Sequence, residues 1–300
     1  VEGLQQLGVR VDCPSGCPPL TVHGGRLPGG RLSMAGERSS QYFSALMLAA
    51  AGATGPVEIR VVGRLVSRPY VEITRRMVAD FGGRVDEIDG GFVVEPASYV
   101  ARTYFIEPDA SSASYPFALA AATGGAVTVP DLGTGALQGD YHFVDVLEQA
   151  GAEVTREAGR TCVRGRPPLR PLDVDMHDIS DTVMSLAAIA PLASGPIRIR
   201  NVENIRIKET DRLAAVAAEL ERLGQRVVTS QDGLVVEPRP VTPAVVKSYA
   251  DHRMAMSFAV LGMARGGVSI EDPACVAKTY PGFWDDVAAC YRAAGAEAPF

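Results

Sequence analysis

The sequence predicts an α/β protein of two domains, assembled from a repeated unit of about 70 residues. Three observations carry this. Four Ala-rich apolar runs each end in glycine and pass into a β-rich run: Gly55-Pro-Val-Glu-Ile-Arg60, Gly125-Ala-Val-Thr-Val129, Gly195-Pro-Ile-Arg-Ile-Arg200 and Gly267-Val-Ser-Ile270. Their first β residues, Val57, Val127, Ile197 and Val268, recur at spacings of 70, 70 and 71 residues. A second marker keeps the same period: a helix-like segment ends in glycine before a short strand at Phe81-Gly-Gly-Arg-Val85, Ala150-Gly-Ala-Glu-Val154, Leu223-Gly-Gln-Arg-Val227 and Ala294-Gly-Ala-Glu-Ala298.

Each element follows from local chemistry. The first helix of a unit, as in Tyr42-Phe-Ser-Ala-Leu-Met-Leu-Ala49, is apolar nearly all round and is expected inside its domain. A Val/Ile-rich strand follows. The second helix is amphipathic, with Ile73, Met77 and Phe81 in one unit and Leu213, Val216, Leu220 and Leu223 in another. It stops where glycine can adopt the left-handed C-cap conformation. A closing strand repeats as Gly91-Phe-Val-Val-Glu-Pro96 and Gly233-Leu-Val-Val-Glu-Pro238. The opening segment Leu7-Gly-Val-Arg-Val11 carries the same helix-end marker, so the chain is expected to begin inside a unit and to be part of a longer protein.

Composition narrows the function. Three hundred residues at 47% hydrophobic content provide a sizeable core. A net charge of −6 argues against a nucleic-acid coat or an anionic membrane surface. Any anionic ligand must then be drawn by a local basic cluster. The five cysteines are odd in number and scattered, which reads as reduced thiols in a cytosolic protein. The apolar stretch from Phe43 to Ala53 is too short to span a bilayer. No set of His, Cys and Glu has metal spacing, and neither a phosphate-binding Gly-rich loop nor a G-x-S-x-G elbow is present. No metal or cofactor is expected.

The starts of the apolar helices are polar: Ser39-Ser40-Gln41, Ser111-Ser112, Ser180-Asp181 and Asp251-His252-Arg253. Taken singly, each is an ordinary cap. Repetition lets several face one cleft, where unpaired N–H groups and helix dipoles favour anions. Cations accompany them. Lys208 and Arg212, four apart in Lys208-Glu-Thr-Asp-Arg212, are expected to share a helix face, with Glu209 beside them as a proton-transfer carboxylate. Arg253 opposes the dipole of its own helix, which suggests either a bound anion or an ion pair with Asp251 or another acid. Lys278 lies in a turn and means little alone. The residues by themselves lead to a cytosolic α/β repeat protein with a cleft for phosphate or carboxylate anions.

Six motifs resemble those of the EPSP synthase family, in that family's order: Ser39-Ser-Gln-Tyr42, Asp109-Ala-Ser-Ser-Ala-Ser-Tyr115, Ile179-Ser-Asp-Thr-Val-Met184, Arg206-Ile-Lys-Glu-Thr-Asp-Arg212, Asp251-His-Arg-Met-Ala-Met256 and Ala277-Lys-Thr-Tyr-Pro281. The resemblance implies a two-domain enolpyruvyl transferase-like fold of βαβαββ units with buried parallel helices. Residues 1–154 would belong to one domain and 155–300 to the other, which would lack its N-terminal segment. The implied reaction moves the enolpyruvyl group of phosphoenolpyruvate to the 5-hydroxyl of shikimate 3-phosphate and releases phosphate. It would use only these two small molecules as partners, in a monomer that is cytoplasmic, with a plastid address left open.

Roles follow by motif position. Ser39, Ser40, Ser112 and Lys208 would hold the 3-phosphate. Gln41 and Tyr115 would line the shikimate ring, and Asn204 would add a polar contact. Arg212, Arg253 and Lys278, with Gln41, would bind phosphoenolpyruvate. Asp181 would be the base for the attacking hydroxyl, Glu209 the second proton-transfer group, and His252 a supporting residue. The family's Lys-Ser…Arg segment, its Gly-Asn-Ala-Gly-Thr loop and a further arginine are not in these residues. The chain alone is therefore expected to lack much of the phosphoenolpyruvate pocket. The alternatives are the related UDP-N-acetylglucosamine enolpyruvyl transferase and an anion-binding protein without turnover.

Overall fold

The computed structural model describes residues 1–298. Two compact units divide the chain, residues 1–106 and residues 107 onward. The division falls before the 154/155 position expected from sequence. That position lies inside a strand, Glu153–Glu157, whose partner Arg160–Arg164 also pairs with Ala126–Pro130. One sheet therefore joins residues on both sides of 154.

The first unit opens with helix α1 (Glu2–Gln6), a two-residue ladder of β1 (Val11–Asp12) with β2 (Thr21–Val22), then β3 (Gly30–Ala35), α2 (Gln41–Ala50), β4 (Val57–Val62), α3 (Arg68–Asp80), β5 (Arg84–Ile88) and β6 (Gly91–Glu95). The main sheet runs β3-β4-β6-β5. β3 and β4 are parallel because α2 crosses between them; β5 and β6 form an antiparallel hairpin. Phe43 and Met47 of α2, Val57 and Ile59 of β4, Val71 of α3 and Val94 of β6 make its core.

In the second unit come α4 (Ala110–Thr123), β7 (Ala126–Pro130), α5 (Phe143–Gln149), β8 (Glu153–Glu157), β9 (Arg160–Arg164), β10 (Leu172–Asp175), α6 (Val183–Ile189), β11 (Ile197–Arg200), α7 (Arg212–Arg222), β12 (Arg226–Thr229), β13 (Leu234–Glu237), β14 (Ala244–Val246), α8 (His252–Arg265), β15 (Val268–Ile270) and α9 (Phe283–Ala293). Its sheets run β7-β9-β8, β10-β11-β13-β12 and β14-β15. The β10-β11-β13-β12 order, with one parallel and two antiparallel pairings, repeats that of the first unit. Helices α4, α6 and α8 pack on one another at the centre. Ala118, Ala121, Ala187, Ala188 and Ala255, all fully buried, let their backbones approach closely. Ser114 and Ser185, one repeat apart, bond across α4 and α6 at 2.8 Å.

The repeat extends to single glycines. Gly8, Gly82, Gly151, Gly224 and Gly295 all have φ between +72° and +103°, the conformation expected for helix ends. Gly91 and Gly233 hold the same place on β6 and just before β13, where an added Cβ would meet the carbonyl oxygen of Ile59 or Ile199 at 2.1 or 2.3 Å. Gly233→Ala is expected to cost about 1–3 kcal/mol by forcing the strands apart, measured as a lowered urea midpoint with an unchanged slope.

Two expectations need correction. Helix α2 is not interior all round, since Tyr42 and Leu48 are 55% and 48% exposed. In the second unit, by contrast, each interior helix has two others to cover it. Helix α3 buries Val71, Thr74 and Val78, not the face of Ile73, Met77 and Phe81. Thr74 fixes that rotation: its hydroxyl lies 2.7 Å from the Ser44 hydroxyl on α2 and 2.9 Å from the Tyr70 carbonyl.

Candidate functional site

The second unit gathers three further cations and three carboxylates around one arginine. Arg212 is the first residue of α7, and its side chain is 2% exposed. Its guanidinium donates from Nε to Asp251 Oδ2 at 2.7 Å, from Nη1 to Asp181 Oδ1 at 3.1 Å and from Nη2 to Glu209 Oε2 at 2.6 Å. Arg253 donates to the other Asp181 oxygen at 3.0 Å, and Lys208 Nζ lies 3.7 Å from Asp181. Lys278 donates to Glu209 Oε1 at 2.6 Å. Lys208, Arg212, Arg253 and Lys278 face Asp181, Glu209 and Asp251, which leaves one positive charge in surplus.

Local sequence builds each part. Asp251 is the N-cap of α8 and accepts from the Arg253 backbone N–H at 2.9 Å. Its carboxylate, fully buried, therefore joins the helix start to Arg212. That cap and Asp181 offset the unfavourable position of Arg253 in the first turn. The open question about Arg253 resolves as an ion pair with Asp181 and a backbone bond to Asp251. Asp181 sits in a short 3-10 segment, His177–Thr182, kinked at Ile179 just before α6, so the starts of α6, α7 and α8 converge. Lys208 and Arg212 do not share a helix face. Asp211 caps α7 by accepting from Ala214 N–H at 3.0 Å, so Lys208, Glu209 and Thr210 stay in the preceding loop. Both cations reach Asp181 all the same.

These charges reset the carboxylates. Burial pushes Asp181 up, but Arg253, Lys208 and Arg212 outweigh it and hold the carboxyl below its ordinary range. Burial likewise works against Glu209, yet the Lys278 hydrogen bond and the Arg212 charge bring it down to about 2. For His252, burial and Arg253 lower the pKa, so the imidazole is neutral near pH 7. Lys278→Met removes the Glu209 Oε1 partner and is expected to move that carboxyl back toward about 4.3. Because the folded value is depressed, Glu209 stabilises the fold above about pH 4.3, and this is lost as pH falls toward 2. Stability should depend less steeply on pH across that window in Lys278→Met than in the parent, by urea unfolding at several pH values.

The other expected site residues make local contacts. Asn204 donates to the Ser180 hydroxyl at 2.9 Å, beside Asp181, and its Oδ1 has no partner. Tyr115 is 1% exposed and edge-on to Phe283, its hydroxyl pushed up to about 12 by burial against the opposing Arg253 charge. Ser112 turns to the N-cap of its own helix, donating to Asp109 Oδ2 at 2.6 Å. Ser39, Ser40 and Gln41 belong to the first unit, where the Ser39 hydroxyl accepts from the Gln41 N–H at 3.2 Å at the start of α2.

One pairing and one residue escaped the sequence. Asp251 holds Arg212 across 39 positions, a pairing that no local pattern announces. Ser67, the N-cap of α3, adopts φ +48°, costly for a residue other than glycine. Its loop is tied to that of Ser39 and Ser40 by the bond from Val66 N–H to the Gly36 carbonyl at 3.0 Å. Pro69, in the first turn of α3, was the available signal. Among the described residues, no three His, Cys, Asp or Glu side chains are grouped to hold a metal ion. No described helix is long and apolar enough to cross a membrane.

The family profile described as EPSP synthase (3-phosphoshikimate 1-carboxyvinyltransferase) matches residues 1–287. A 3-phosphoshikimate 1-carboxyvinyltransferase of Nostoc sp. is 47% identical over 95% of this chain and 68% of its own length. A chloroplastic one of Solanum lycopersicum is 43% identical over 95% of this chain, which spans 58% of that relative. A solved EPSP synthase from Acinetobacter baumannii superposes with a TM-score of 0.77 at 23% identity, over 94% of this chain and 67% of that one, and so speaks to the fold. On the extent of the profile match and the identity to these relatives, the chain belongs to the EPSP synthase (3-phosphoshikimate 1-carboxyvinyltransferase) family.

Proposed function

We propose that this chain is a 3-phosphoshikimate 1-carboxyvinyltransferase, transferring the enolpyruvyl group of phosphoenolpyruvate to the 5-hydroxyl of shikimate 3-phosphate. The observation that carries the proposal is the charge cluster around Arg212. Four cations are held in place by three carboxylates, and both substrates are anions. Arg212, Arg253 and Lys278 are assigned to phosphoenolpyruvate. Lys208 and Asn204 are assigned to shikimate 3-phosphate, together with Ser39, Ser40, Gln41, Ser112 and Tyr115. Of these, Ser112 now bonds Asp109 and Tyr115 is buried.

Asp181 takes the proton of the 5-hydroxyl as that oxygen attacks the enol carbon. Glu209, fixed between Lys278 and Arg212, serves the proton added to the methylene carbon and then removed from it as the C–O bond to phosphate breaks and phosphate leaves. Orientation by fixed cations supplies much of the rate, since they need no rearrangement as charge moves. The same proposal takes the protein as a cytoplasmic monomer; its five cysteines are all unpaired thiols.

Phosphate release with both substrates, measured on the full-length protein, tests the reading, with UDP-N-acetylglucosamine offered in place of shikimate 3-phosphate. Release that depends on shikimate 3-phosphate supports it. Release that follows the sugar nucleotide instead, or saturable binding of both anions without release, would overturn it.

A further inference from the structure

We infer that Glu219 is a positioning residue: by clamping the turn at Tyr249 and Ala250 it sets Asp251, and through Asp251 the orientation of the Arg212 guanidinium. The inference rests on the assignment of Arg212 to phosphoenolpyruvate for its effect on turnover, but not for the coupling itself.

Glu219 lies two turns along α7 from Arg212 and its side chain is fully buried. Its carboxylate is used on every side. Arg222 donates to it at 2.9 Å, the Lys247 backbone N–H at 3.1 Å and the Tyr249 hydroxyl at 2.7 Å. Two of these bonds fall on the short segment between β14 and α8. In that segment Tyr249 and Ala250 have φ of +57° and +53°, and the Asp251 N–H donates to the Ser248 carbonyl at 2.9 Å. This is a β-turn with positive φ at both central positions, a conformation that ordinarily selects Gly and Asn. Tyrosine and alanine pay for it in backbone strain, so something outside the turn must hold it. The next residue is Asp251, the buried cap of α8 and the acceptor for Arg212 Nε. Burial and the Glu219 bond push the Tyr249 hydroxyl up to about 12, so it stays protonated and donates throughout the working pH range.

Glu219 thus closes a loop of contacts within one unit: α7 carries both Arg212 and Glu219, Glu219 fixes the turn, the turn delivers Asp251, and Asp251 returns to Arg212. Asp181 and Glu209 hold Arg212 through separate bonds, at 3.1 and 2.6 Å. Loss of the loop should misalign Arg212 without dispersing the cluster.

Two variants test this, Glu219→Gln and Tyr249→Phe. The second removes one hydroxyl from a side chain that is already 38% exposed and so leaves the core intact. Each is expected to raise KM for phosphoenolpyruvate about tenfold while kcat changes less than about threefold, the pattern of lost uniform binding. Adding Ala250→Gly to Glu219→Gln should recover most of the KM, because glycine accepts φ near +53° without a clamp. A contribution to stability alone would lower the unfolding midpoint and the active fraction, leave KM in place and gain no rescue from glycine.

Hydrogen exchange at the Arg212 Nε–H, assigned by Arg212→Lys, reads the coupling without turnover and should quicken in both variants. Unchanged KM and unchanged exchange in both variants would overturn the inference. A wild-type protein that fails to turn over, with exchange still quickened in the variants, would remove the functional reading and leave the coupling standing.

Discussion

Arg212→Met is expected to reduce turnover about 10²–10³-fold and to destabilise the second unit by about 3–5 kcal/mol. The activity loss follows from removing a fixed charge from the place where negative charge develops. The stability loss has a separate origin. Asp251 is fully buried and accepts two bonds from Arg212, at 2.7 and 3.3 Å. Methionine would fill much of the volume but leave that carboxylate charged and unpaired. Adding Asp251→Asn should restore most of the lost stability, since asparagine keeps the helix cap but carries no charge. It should restore none of the turnover. Denaturant unfolding and phosphate-release assays on the two proteins separate the effects. A single variant as stable as the parent would show that Arg212 is not the counter-charge of Asp251.

The same residues show where sequence reasoning ends. The repeat was legible because it is local: a glycine needed at φ > 0 after a helix, or a Val/Ile-rich run after an alanine-rich one, leaves a mark at a fixed spacing. Five helix-end glycines and two strand glycines keep that mark in the structure. The cations of the site were legible as types, and Lys208, Arg212, Arg253 and Lys278 do come together. What spacing could not convey was who holds whom. Lys208 and Arg212 stand a helical interval apart, yet the cap at Asp211 starts the helix later, and the two meet through Asp181. Ser112 is assigned to the phosphate by motif, and no spacing announced that its hydroxyl would be bound to Asp109, three residues earlier. The 39-residue reach from Arg212 to Asp251 is set by packing between repeats. A period locates the repeats without describing how their ends dock.

Asp181→Asn is expected to lower kcat about 10²–10⁴-fold without raising KM for phosphoenolpyruvate. The split follows from charge. With the carboxylate neutralised, the surplus over Glu209 and Asp251 rises from one positive charge to two, which favours anion binding while removing the base. A raised KM with kcat intact would instead make Asp181 only a brace for Lys208, Arg212 and Arg253. The depressed pKa of Asp181 works against its role as a base, because a weakly basic carboxylate is a poor proton acceptor. The substrates resolve this. The cations that depress Asp181 are those assigned to the two anions, so binding those anions neutralises the charge around it and raises its pKa toward working pH. The acid limb of kcat, which reports the loaded enzyme, should therefore lie at higher pH than the acid limb of kcat/KM, which reports the unloaded one. Both limbs should be absent from the residual activity of Asp181→Asn. Stability runs the same way. A carboxyl held low in the folded state stabilises above about pH 3.9 and loses that contribution as pH falls further, so the asparagine variant should gain relative to the parent below that point. Coincident acid limbs in kcat and kcat/KM would mean that the cations do not bind the substrates, whatever else they hold together.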